Sequence, residues 1–98
     1  MSIDQLTKEA LDLENLQLPA RPEIVGIEYE PYEDSTGEDS LEIWVVLSDS
    51  TLDEDITGTN VMQIKSAIRG SLHARGIKLF PYVRLVTESE FPRQAKKG

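Results

Sequence analysis

Seven residues constrain this chain more than any others. Leu41–Leu47 reads LEIWVVL. In an extended strand Leu41, Ile43, Val45 and Leu47 share one face, and Trp44 and Val46 share the other, with Glu42 near the entry. A strand apolar on both faces needs cover on both, so the pattern predicts a central strand.

The chain around it has 98 residues, one domain's worth. A chain of that size buries roughly 60% of its unfolded surface, enough for a modest core without a metal or a disulfide. It has no cysteine, which rules out disulfides and thiolate metal sites and is compatible with a reducing compartment. No secretory leader is expected, because Met1–Ala10 holds acids and no apolar run. No membrane span is expected either, since every apolar run is far too short. A cytoplasmic domain follows. Charge is divided unevenly: residues 1–55 hold 16 acids against Lys8 and Arg21, a net −14, and residues 56–98 hold eight bases against Glu88 and Glu90, a net +6. The total is −8. The simplest expectation is that the halves pack together and partly neutralise each other. The sharper one is that the basic half faces an anionic partner.

Taken in order, Ser2–Asn15 predicts a helix, with Ser2 and Gln5 as a capping box and Ile3, Leu6, Ala10 and Leu13 at helical spacing. Pro19 and Pro22 make the following link extended. Glu23–Tyr32 predicts a strand with Val25, Ile27 and Tyr29 on one face and Glu28 and Glu30 on the other. Pro31 marks it as an edge. Glu33–Ser40 is a polar loop around Gly37, and Ser48–Gly58 is a second acidic loop. The first lacks the alternating ligands of a calcium loop. A seven-residue strand of roughly 23 Å separates them, too far to share an ion, so no metal site is expected. Asn60–Arg75 is the clearest helix, with Val61, Ile64, Ile68 and Leu72 as its apolar stripe; Thr57 or Thr59 could start it earlier. Gly76 suits a left-handed C′ position, which would make Leu72 and Ile77 the contact pair of a Schellman ending. Gly70 inside this helix suggests a close approach of another backbone. Pro81–Thr87 predicts the last strand, and Glu88–Gly98 a flexible tail.

The order is α-β-β-α-β. The last strand should lie parallel to the central one after a right-handed crossover, and the first antiparallel on its other side. The expected fold is a single small α+β domain over residues 1–98: a three-stranded mixed sheet with the long helix on one face.

Chemistry is sparse. His73 is the sole histidine and sits four residues after Arg69. A cation beside a histidine can support RNA cleavage by acid–base catalysis, so a small ribonuclease is one alternative. No phosphate loop, serine elbow or nucleotide fingerprint is present. No catalytic residue and no small-molecule cofactor is expected. Lys65, Arg69, His73 and Arg75, with Lys78 nearby, form a basic stripe. It is either a nucleic-acid surface or a set of ion-pair partners for the acidic first helix. The chain's acidity favours the second.

The segment Gly37-Glu38-Asp39-Ser40-Leu41-Glu42-Ile43-Trp44-Val45-Val46, with the elements around it from Val25 to Thr87, resembles a minimal nucleotidyltransferase domain. That family supplies antitoxin partners to small helical ribonuclease toxins. Its strand carries two alternating metal-binding aspartates, where this chain has Leu41 and Ile43, and the last strand offers no further acid. The resemblance therefore implies a catalytically silent relative that acts by contact, as an antitoxin-like neutralising partner.

Contact has an obvious place. The long helix covers one face of the sheet and leaves Trp44, Val46, Tyr82 and Arg84 on the other. Unless the first helix folds over them, these four are the expected partner-binding residues, and the last strand offers a free edge. The expected occupant is another protein or a second copy of this chain. Nucleic acid is the less favoured alternative, and no membrane is involved.

Overall fold

The computed structural model describes residues 3–33 and 35–91. The expected cap Ser2 and the tail from Pro92 onward lie outside these. Five main elements follow in order: α1 (Ile3–Ala10), β1 (Ile24–Glu33), β2 (Asp39–Leu47), α2 (Gly58–Ala74) and β3 (Phe80–Thr87). The fold is α+β. The sheet has the order β1-β2-β3, with β1 antiparallel and β3 parallel to β2. β2 is central and, after Asp39, buried along its whole length.

The face carrying Leu41, Ile43, Val45 and Leu47 holds the main core, packed with Ile64, Ile68 and Leu72 of α2 and with Ile77. Ala10 and Leu11 join the same cluster, so α1 lies beside α2 on this face. Width explains why. Three strands about 4.8 Å apart, with their side chains, are broader than one helix of roughly 10 Å. α2 alone leaves the β1 side of the core open, and α1 closes it. Ser71 Oγ ties the helices by donating to the Ala10 carbonyl at 2.7 Å.

Several local expectations need correction. α1 ends at Ala10, not Asn15, because Asp12 is extended and its carboxylate caps a separate 3-10 turn over Leu13–Asn15 by accepting from Glu14 N–H. In β1 a bulge between Ile24 and Gly26 shifts the register. Ile24 therefore packs on the core in place of Val25, which is exposed. α2 starts at Gly58, two residues before Asn60, the earlier of the starts the sequence offers. Thr57 is its cap, accepting from Asn60 N–H at 3.0 Å, while the Asn60 amide donates to the Asp55 carbonyl. Gly70 faces open space, with no atom of another element near a Cβ placed there.

The far end of α2 follows the sequence closely. Gly76 has φ +74°, its N–H donates to His73 carbonyl, and Ile77 N–H donates to Leu72 carbonyl. Leu72 and Ile77 are both buried. This is the Schellman ending that the Arg75-Gly76-Ile77 order predicts.

Candidate functional site: the uncovered sheet face

Neither helix covers the second face of the sheet. By register it carries Glu28, Glu30 and Tyr32 of β1; Ser40, Glu42, Trp44 and Val46 of β2; and Phe80, Tyr82, Arg84 and Val86 of β3. Its two ends differ.

At one end Trp44, Val46 and Val86 form a small second core. Trp44 is only 2% exposed. Its cover is Phe91, which meets the indole edge-on at 5.9 Å. Residues 88–91, expected to begin a loose tail, make a turn held at several points. Glu88 N–H donates to the Leu47 carbonyl at 2.9 Å. Ser89 donates its N–H and its hydroxyl to the two carboxylate oxygens of Asp49, at 3.0 and 2.8 Å. These bonds favour the charged carboxylate, so Asp49 sits below the ordinary aspartate pKa. Glu90 Oε1 accepts from Thr87 N–H and hydroxyl. Trp44 and Val46 are thus core residues, a correction to their expected partner-binding role. Local periodicity says nothing of what a residue 47 positions later lays over them.

The other end is open. Tyr32, Phe80 and Tyr82 are 40%, 56% and 38% exposed. The rings touch: Tyr32 meets Tyr82 edge-on at 5.7 Å, and Phe80 lies against Tyr82 at 4.8 Å. Arg84, half exposed, pairs through Nε with the buried carboxylate of Glu42 at 3.4 Å. These groups line an open cleft of about 560 Å³ with Ser35, Pro81, Val83 and, from α2, Lys65 and Arg69. The sequence assigned Tyr82 with Arg84 and Lys65 with Arg69 to two different surfaces. The fold brings them into one cleft.

The rest of the basic stripe does not join it. Arg75 donates to Ser71 Oγ at 3.2 Å, at the link between the helices. His73 is exposed and outside the cleft lining. Among the described side chains the expected pairing of the stripe with the acidic first helix is not seen: neither Lys65 nor Arg69 has an acidic partner, and the salt bridges seen engage Arg21 and Arg84.

β3 lies at the edge of the sheet, as expected, but the donors along both edges are interrupted. Glu88 N–H points from the β3 side to β2, and Ser48 N–H points from β2 to Glu23. Alternating from those anchors, Pro81, Val83, Leu85 and Thr87 face outward on β3, and Ile27, Tyr29 and Pro31 face outward on β1. Both prolines, each opposite Leu41, occupy outward positions and have no N–H to give. The Thr87 N–H is taken by Glu90. Each edge offers only a short, broken run of donors, which discourages strand addition.

Among the described residues no three His, Asp or Glu side chains gather in a way that could hold a metal ion, and no helix is long and apolar enough to cross a membrane. Comparison with protein-family models, with curated proteins and with solved structures gives no match.

Proposed function

We propose that this protein is a non-catalytic interaction module that docks another protein on the open end of its uncovered sheet face. One observation carries the reading: Tyr32, Phe80 and Tyr82 stand together, substantially exposed, on a face that both helices leave bare. Contiguous exposed aromatic surface is costly to leave in water, and aromatic and arginine side chains dominate interface hot spots. The interrupted edges favour docking on the face. The partner presents an apolar anchor to the aromatic corner. A neutralising role toward that partner, as the nucleotidyltransferase resemblance implies, is one form of such contact. A cysteine-free chain suits a reducing, cytoplasmic setting.

The test is comparative capture from the source cells, followed by titration calorimetry with the captured protein. The Phe80→Ala, Tyr82→Ala double variant should bind it with a loss of about 2 kcal/mol or more. Met62→Ala, exposed on α2 outside the cleft, should bind like the wild type. Equal binding by the double variant would sink the proposal. So would light scattering that shows a homodimer abolished by the same two substitutions.

A further inference from the structure

Resting on that docking face, we propose that the cleft is a carboxylate subsite: Lys65 and Arg69 take acidic side chains of the partner protein, while its apolar anchor packs on Tyr82. The sequence holds 18 acids against 10 bases. Lys65 and Arg69, one helical turn apart, form no salt bridge among the described residues, and Glu42, the one acid lining the cleft with them, is held by Arg84. Lys65 is half-buried. The stem of a lysine can pack along the protein while its ammonium stays in water, where it reaches a visiting anion. Arg84, the third cation of the cleft, is already engaged by Glu42. Among the described residues no acid engages the two helix cations.

The geometry favours a short acidic stretch over a nucleic acid. Aromatic rings beside cations also suit single-stranded RNA. A polynucleotide, however, must run on past the cleft, and the same face continues to the exposed Glu28 and Glu30 in a half of the chain with net charge −14. Phosphate binding requires an extended positive field. A pair of carboxylates two or three residues apart ends within the cleft and avoids that repulsion.

Three probes separate the possibilities by amide chemical shifts of the ¹⁵N-labelled full chain. They are the capped pentapeptides Glu-Glu-Trp-Glu-Glu and Gln-Gln-Trp-Gln-Gln, and decauridylate RNA. The acidic peptide should shift the signals of Lys65, Arg69, Tyr82 and Arg84, and should bind about tenfold tighter than the glutamine peptide, the effect of two surface ion pairs. The Lys65→Gln, Arg69→Gln double variant should remove that advantage and leave the glutamine peptide's affinity unchanged. Equal affinities for the two peptides overturn the subsite, as do tighter binding of decauridylate at these residues and the absence of shifts at millimolar acidic peptide. The docking face is judged separately. If the captured partner binds the Lys65→Gln, Arg69→Gln variant as it binds the wild type, yet still depends on Phe80 and Tyr82, the subsite alone is lost.

Discussion

Trp44 sets two properties of the second core against each other. Its ring is buried beneath Phe91, while its indole N–H is buried without a hydrogen-bond partner among the described residues. Burial of so large an apolar ring stabilises by several kcal/mol, and an unsatisfied donor costs about 1–3 kcal/mol. Trp44→Phe should therefore stay within about 1 kcal/mol of wild type in urea unfolding, because the lost ring area is offset by removal of the stranded donor. Trp44→Ala, which leaves a cavity, should cost about 3–5 kcal/mol. A Phe variant as damaged as the Ala variant would mean the N–H is satisfied after all. Glu42 poses the converse case, a buried carboxylate with a half-exposed guanidinium beside it. Arg84→Met should destabilise by about 1–3 kcal/mol at neutral pH, the lower end reflecting solvent around the arginine. Adding Glu42→Gln should recover most of that loss, and a double-mutant cycle reads the coupling directly. At this scale the sequence showed that Trp44 and Glu42 share a face. It could not show that one is sealed and the other paired, since both facts depend on distant residues.

Among the elements, those with a strong local pattern were the most legible. β2 is central because its residues are apolar in both directions, and all of them after Asp39 are buried. α2 ends at Gly76 because a left-handed residue is needed there and glycine adopts that conformation without a Cβ clash. The misreadings share one cause, a local polar group or backbone irregularity that overrides periodicity. Asp12 caps a new turn and cuts α1 short. The bulge at Ile24 and Gly26 exchanges Val25 for Ile24. Two glycines of α2 and its ending then give opposite expectations. Gly76→Ala meets no steric obstacle but keeps φ at +74°, so it should destabilise by about 1–2 kcal/mol through backbone strain alone. Gly70→Ala sits in an exposed helix interior with open space around it and should stabilise by about 0.5–1 kcal/mol. Thermal unfolding resolves both, at roughly 4–8 °C per kcal/mol for a domain of this size. A neutral Gly70→Ala would indicate a contact not apparent from the fold.

For the molecule as a whole, the division of charge matters more than its total. The two halves do pack together, and Glu42–Arg84 joins them by an ion pair, yet among the described residues Lys65 and Arg69 of the cleft form no salt bridge. The acidic half finds another use. Asp49, in the loop after β2, holds the turn after β3 through Ser89 and so places Phe91 on Trp44. This closure spans 40 residues of sequence, which is why no local pattern announced it. It also makes the closure sensitive to acid. Asp49 has a depressed pKa because Ser89 donates to its charged form. A carboxyl whose folded pKa lies below its unfolded value contributes stability that is fully present above the unfolded value and is lost as pH falls through the folded one. At neutral pH, Asp49→Asn should therefore loosen the turn and make Trp44 fluorescence more readily quenched by acrylamide than in the wild type. As pH falls from the ordinary aspartate range through the lower folded value, the wild type should approach the variant until the two quench alike. Other acids titrate in the same interval, but they do so in both proteins, so the difference isolates Asp49. Equal quenching at neutral pH would show that Phe91 stays on Trp44 without the Asp49–Ser89 bonds, and that the aromatic contact alone holds the turn in place.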